Sequence, residues 1–213
     1  LGIVTHYVLD AEGNITDQYD AYGTSEQRHT TRTYDANHRL VQERNALGVV
    51  TAFAYDAAGN VVAQTTALGT PEERTEHTLY DHMNRVVASV NGEGDRIENT
   101  YDGAGNRIRT VIAPGLPEQR VNTFQFDRDN RMVAAVDGEG VRAQYRYDGA
   151  DNRVETIQAA GVLGAERHSF YSYDADNRLN RIEDPLGGVT SYTYAALGNQ
   201  TRIVAANVRP ILG

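Results

Sequence analysis

The chain has 213 residues, 29 acidic against 20 basic side chains for a formal net charge of −9, and no cysteine or tryptophan. That charge repels phosphate backbones, which excludes nucleic acid as an expected partner, and the missing thiols exclude disulfides and thiolate metal sites. Hydrophobic residues make up 40% and charged residues 23%, and no apolar run approaches the roughly 18 residues of a membrane helix, so the expectation is a folded chain without membrane insertion.

In chain order, the sequence opens Leu1-Gly2-Ile3-Val4 without Met and closes Ile211-Leu212-Gly213, which leads us to expect a segment of something longer. A first strand is expected around Ile3 to Leu9, running into the partial turn motif Leu9-Asp10-Ala11-Glu12-Gly13-Asn14. A linker with Gly23 and Arg28 leads to Tyr34-Asp35, and the short turn Asn45-Ala46-Leu47-Gly48 leads on to Phe53 and Tyr55-Asp56. The β-branched run from Val61-Val62 follows, then a linker with Gly69 and Arg74, Tyr80-Asp81, and Val86-Val87. Next come the turn Asn91-Gly92-Glu93-Gly94, Tyr101-Asp102, a linker with Gly115 and Arg120, Phe124 and Phe126-Asp127. After the turn Asp137-Gly138-Glu139-Gly140, residues Val141 to Tyr147 alternate apolar and polar, as a half-buried strand should, and end in Tyr147-Asp148. The last cycle has Gly161, Arg167, Tyr171, Tyr173-Asp174, the turn Asp184-Pro185-Leu186-Gly187, Tyr192, a degenerate Tyr194-Ala195 and a strand around Arg202 to Ala206.

From Tyr34 to Tyr194 the motifs step by 21, 25, 21, 25, 21, 26 and 21 residues, so the true unit is a pair of motifs of about 46 residues. No stretch sustains a helical apolar period, because Gly or Asn interrupts every window of helical length. Each motif is therefore expected to be the turn between two strands. In Asp102-Gly103-Ala104-Gly105-Asn106 the carboxylate accepts backbone N–H bonds at the start of the turn while Gly105 or Asn106 takes positive φ; Asn84 and Asn177 stand where Gly105 does. Asp or Asn first, Pro allowed second and Gly fourth give the short turns type I chemistry. The structural motif residues are thus Tyr34, Asp35, Tyr55, Asp56, Tyr80, Asp81, Tyr101, Asp102, Phe126, Asp127, Tyr147, Asp148, Tyr173 and Asp174.

A phosphate loop would need a helix after the glycines, and here a strand follows. Calcium would draw on Asp148 with Asp151 or Asp174 with Asp176, yet neither EF-hand spacing nor a glycine-aspartate nonapeptide occurs. The six histidines (6, 29, 38, 77, 82, 168) share no repeat position, and none of the five serines sits in a nucleophile elbow. The residues therefore call for no catalytic group, cofactor or metal. Tyrosines at strand spacing read as packing, with sugar stacking as the alternative, and Arg107 and Arg109 as solvated or paired with Glu.

Repeated Tyr-Asp-x-x-Gly-Asn, complete with Arg at Tyr101 to Arg107, present at Tyr55 to Asn60, and with Asp151 in the Gly place from Tyr147 to Arg153, together with the Asp184-Pro185-Leu186-Gly187 turn, resembles the YD or RHS repeat family. That family includes rearrangement-hotspot polymorphic toxins, the B and C components of insecticidal toxin complexes, and the teneurins. The resemblance covers nearly the whole chain and implies one array over residues 1–213, an all-β, curving antiparallel strip of hairpins that is part of a larger shell. It implies a noncatalytic scaffold, secreted or at the cell surface, whose partners are the rest of the shell and a C-terminal toxin cargo. The family's aspartyl self-cleavage signature continues with Leu where Gly188 stands, and the site falls on the turn register, so Asp184-Pro185 reads as a turn. Independently, two strands per motif predict about 16 to 18 strands, more than an open twisted sheet holds without curling. A four-strand module also fits a small β-propeller, the alternative fold. The alternative function is a carbohydrate- or cell-surface-binding module, with a glycan as partner; exposed strand edges are expected to drive self-association.

Overall fold

A computed structural model describes residues 3–206. It is all-β: eighteen antiparallel strands belong to one open sheet, with no helix among the described residues. An open sheet is not a ring of separate blades, so the propeller alternative does not hold.

The chain divides into two compact units, Leu1–Asn99 with Ile112–Pro114, and Thr100–Val111 with Gly115–Gly213. The first unit carries β1 (His6–Leu9), β2 (Ile15–Asp20), β3 (Arg28–Tyr34), β4 (Leu40–Arg44), β5 (Val50–Tyr55), β6 (Val61–Thr66), β7 (Arg74–Tyr80), β8 (Val86–Val90) and most of β9 (Arg96–Tyr101). From β1 to β9 each pairs with its neighbour in the chain. The second holds most of β10 (Arg107–Ile112), then β11 (Arg120–Phe126), β12 (Met132–Val136), β13 (Arg142–Tyr147), β14 (Arg153–Gln158), β15 (Arg167–Tyr173), β16 (Leu179–Glu183), β17 (Val189–Tyr194) and β18 (Gln200–Ala206). From β11 to β18 the same sequential pairing holds. Sequential hairpins follow from connections this short, which leave no length for a crossover.

The core of each unit is thin. Ala88 is the buried hydrophobic side chain of the first; Val111, Ala134, Ile157 and Ala160 are those of the second, among the described residues. Most strand residues are half-buried. With so little apolar burial per strand, register must be held elsewhere, and the turns hold it. A charged group is buried too: Glu155 lies at 6% exposure, its two oxygens 2.7 Å from Arg146 Nη1 and 2.7 Å from His168 Nδ1. Both partners are needed there, because an unpaired buried carboxylate is strongly unfavourable.

Candidate functional site

The residues that recur converge on the turns, and one turn geometry serves throughout. In Asp102 to Asn106, the Asp102 N–H donates to the Asn106 carbonyl (2.9 Å) and the Gly105 N–H to the Asp102 carbonyl (3.2 Å). Asp102 Oδ1 accepts the N–H groups of Ala104 (3.0 Å) and Asn106 (2.8 Å). Positive φ falls on Gly105, at 95°, which completes a type I turn followed by a left-handed residue. The carboxylates of Asp35, Asp56, Asp81, Asp127, Asp148 and Asp174 accept the same pair of N–H bonds. The left-handed place is filled by His38, Gly59, Asn84, Asn130, Asp151 and Asn177 in those turns. The short turns headed by Asn45, Asn91, Asp137 and Asp184 repeat this pattern, Asp184 Oδ1 accepting from Leu186 (2.9 Å) and Gly188 (2.7 Å). Two turn classes read from the sequence are thus one hydrogen-bonded loop.

What separates them is the bulge. The motif hairpins shift register beside Tyr34, Tyr55, Tyr80, Phe126, Tyr147, Tyr173 and Tyr194: Tyr55 pairs with Val61 although Ala54 pairs with Ala63. A bulge disrupts the ladder locally, and the next motif's tyrosine supplies a donor there. Tyr34, Tyr55, Tyr80, Tyr147, Tyr173 and Tyr194 donate their hydroxyls to the carbonyls of Ile15, Leu40, Val61, Met132, Arg153 and Leu179, at 2.7–3.2 Å. Every acceptor is the first residue after a register shift. Phe126 has no hydroxyl to donate.

The fifth turn residue explains the alternation. It is Asn at 14, 60, 106 and 152, and Arg at 39, 85, 131 and 178. Asn60 Nδ2 donates to Asp56 Oδ2 (2.9 Å) and also to Asn84 Oδ1 of the following turn (2.8 Å). Asn106 reaches Asn130 (2.9 Å), Asn152 reaches Asn177 (3.0 Å), and Asn14 meets His38 Nδ1 (3.1 Å). The arginines bind their own Asp, Arg39 and Arg131 through Nε at 2.7 and 2.8 Å, and three of them also lie over the next tyrosine. Arg39 is 4.7 Å from the Tyr55 ring centre, Arg131 5.0 Å from that of Tyr147, and Arg178 4.9 Å from that of Tyr194. Within each unit this makes a side-chain ladder from turn to turn.

These bonds favour the ionised carboxylates. The Arg85 guanidinium bond, then the Arg85 N–H, lower the Asp81 pKa to about 2, against the ordinary 3.8. The Asn60 and Asn106 side-chain amides lower those of Asp56 and Asp102. The extra carboxylates weighed for calcium are engaged by arginine: Asp151 lies 2.6 Å from Arg131, and Asp176 3.0 Å from Arg178. Arg107 and Arg109 are both exposed, as a solvated face would have them, and Arg107 lies over the Phe124 ring at 5.6 Å. The histidines go separate ways: His38 sits in a turn, His29 pairs with Asp17 and His168 with Glu155.

Two recurrent positions escaped the sequence reading. Ala21, Ala67, Ala113 and Ala159, each 46 after the last, hold φ of 51–55° in the long linkers. Gln27, Glu73, Gln119 and Glu166 accept the N–H of Gly23, Gly69, Gly115 and Gly161, at 2.6–3.0 Å. The signal was their spacing, which alanine and glutamate, being common residues, do not advertise.

The RHS Repeat family model matches residues 34–71, 123–163 and 173–207, more than half of the chain. No curated protein matches it. Among solved structures, the chain is similar to part of "Crystal Structure of TcdB2-TccC3 without hypervariable C-terminal region": TM-score 0.70, 15% identity, 98% of this chain and 13% of that one. "Crystal Structure of TcdB2-TccC3" follows with TM-score 0.65, 15% identity, 96% of this chain and 14% of that one. The same TM-score, 0.65, with 13% identity, 93% of this chain and 14% of that one, relates it to "Crystal Structure of TcdB2-TccC3-Cdc42". At such identity these likenesses speak for the fold, and this chain spans about one seventh of each matched length. By its sequence matches and its repeating turns, the chain belongs to the RHS repeat family.

Proposed function

We propose that this chain is a noncatalytic wall segment of an RHS shell, one that encloses a C-terminal toxin domain of the same longer polypeptide. The observation that carries the reading is the turn ladder. Recurrent Tyr, Asp, Asn and Arg side chains are engaged with backbone or with one another, so what the repeat conserves is a mechanical joint. Such a joint can be added indefinitely, and stability then grows by nearest-neighbour terms. One similar structure is described as lacking a hypervariable C-terminal region; by analogy the cargo here would lie downstream, and its partners would be the remaining shell strands. Secretion or surface display would belong to the full-length protein.

The test uses the full polypeptide. Limited proteolysis should leave a C-terminal domain intact while the wall is folded and digest it once the wall is opened at pH 2 or in denaturant. A C-terminal domain cleaved as fast with the wall folded as with it open would overturn the reading.

A further inference from the structure

Two of the recurrent linker arginines are neutralised within the protein. Arg74 pairs with Glu93, and Arg120 with Glu139 at 3.3 Å, each acid standing third in the facing short turn. Both arginines lie across a bare glycine, since a Cβ added at Gly92 or Gly138 would stand 2.7 Å from the Cβ of Arg74 or Arg120. At Arg167 both provisions are missing. Pro185 stands in the glycine's place and Leu186, 76% exposed, in the acid's. The Arg167 guanidinium has no ion pair or hydrogen bond among the described residues. Arg28 has Ala46 and Leu47 in those two places, but its cross-strand partner is an acid, Asp20.

The sheet beside Arg167 is altered as well. Ala135, Ala143, Gln158 and Arg167 are cross-strand partners in one row over β12 to β15, so their side chains share a face. One repeat earlier the places of Ala143 and Gln158 hold Ile97 and Ile112. A methyl and an exposed amide thus replace two branched side chains, and a pocket of about 460 Å³ lies over the row, bordered by Tyr145 and Asp137. That is room for a small organic ligand. The Gln158 amide and the Tyr145 hydroxyl have no hydrogen-bond partner among the described residues, and Arg153 lies over the Tyr145 ring at 5.8 Å. Arg142 also borders the pocket, but it alternates with Ala143 and so belongs to the opposite face. Arg167 is therefore the cation a ligand can meet.

We propose that this pocket binds a small monocarboxylate with an apolar body. The guanidinium fork matches a carboxylate through two parallel N–H···O bonds. Gln158, directly across from Arg167, meets an amide or hydroxyl beside that carboxylate, while the alanine methyls and the Tyr145 ring take the apolar part. The single charge follows from Asp137. Its Oδ1 accepts the N–H groups of Glu139 (3.1 Å) and Val141 (2.8 Å), which holds a negative charge at the border and disfavours a dianion such as a phosphate monoester.

N-acetylphenylalanine and N-acetylleucine are the probes, titrated into the whole chain by calorimetry beside their uncharged amides and phenyl phosphate. At least one acid should bind with a Kd of about 1 mM or tighter, and its amide at least about tenfold more weakly, for want of the charge-assisted pair. Arg167 is exposed and unpaired, so Arg167→Gln should fold, and it should weaken binding by about tenfold or more. Ala143→Ile installs the side chain that the preceding repeat carries, so it should keep the circular dichroism spectrum and abolish binding by filling the floor. Four results would each overturn the proposal: no binding of either acid up to about 10 mM, amides that bind as well as the acids, phenyl phosphate that binds more tightly, or unchanged binding by either folded variant.

Discussion

Asn60 and Asn84, 24 residues apart, are joined side chain to side chain at 2.8 Å, while Asn60 also holds Asp56 in its own turn. Asn84 carries a φ of 59° to make that contact. One amide thus fixes a turn and its neighbour together. Asn60→Ala should destabilise the first unit by about 1–2 kcal/mol, two modest hydrogen bonds. In a double-mutant cycle with Asn84→Gly, which relaxes the backbone while deleting the contact, a coupling of about 0.5–1 kcal/mol is expected from urea unfolding. Additive single mutants would show that neighbouring turns are independent.

The tyrosine hydroxyls lead to a paired test. Tyr55→Phe removes the donor to the Leu40 carbonyl and should lower stability by about 1 kcal/mol. Phe126→Tyr restores the motif where the corresponding acceptor is Arg107, five residues past Asp102, and should raise stability by up to about 1 kcal/mol. Thermal midpoints moving in opposite directions are the expected outcome; a stabilised Tyr55→Phe would contradict the role assigned to the bulge.

Ala67 sits at φ 55°, a region alanine enters only at a penalty. Ala67→Gly should therefore stabilise the protein by about 0.5–1 kcal/mol, against the usual direction for a glycine introduced into a chain. Chemical denaturation of this variant and of Ala21→Gly gives the sign directly.

Acid should open the turns. The capping carboxylates have folded pKa values below their unfolded value of about 3.9, as for Asp35, where the Arg39 N–H is the first cause, and for Asp127 and Asp174, where the Arg131 and Arg178 side chains are. A depressed folded pKa gives stability that is fully present above the unfolded value and is lost as pH falls through the folded one. For Asp81, with its pKa at about 2, the window runs from roughly pH 4 down to 2. Urea midpoints should be level from pH 7 to 5 and fall steeply below 4; a level profile down to pH 2 would count against the capping bonds.

The outermost strands invite partners. β1 exposes Tyr7, Val8 and Leu9, and β18 exposes Ile203 and Val204. Unpaired edges of this composition recruit further strands. The isolated chain should associate with rising concentration, and Val8→Pro with Ile203→Lys should reduce that in sedimentation equilibrium. A monomer at all concentrations would refute the edge pairing.

The strand count, the hairpin order and the turns were legible in the sequence because they rest on local chemistry: period-two alternation, and Asp, Gly or Asn within five consecutive residues. Even the Asp102 cap follows from a carboxylate's reach to the next two or four N–H groups. Tertiary structure decided what depends on the neighbouring hairpin. The turn itself puts positive φ on Gly105, but that Asn106 then spans Asp102 and Asn130 depends on the following hairpin. That Tyr55 serves a bulge at Leu40, and that Ala67 endures a left-handed backbone while Leu68 N–H bonds to the Val50 carbonyl, are contacts across 15 and 18 residues. Spacing shows that such residues recur; only paired strands show what they touch, because register is a property of two chain segments and not of one.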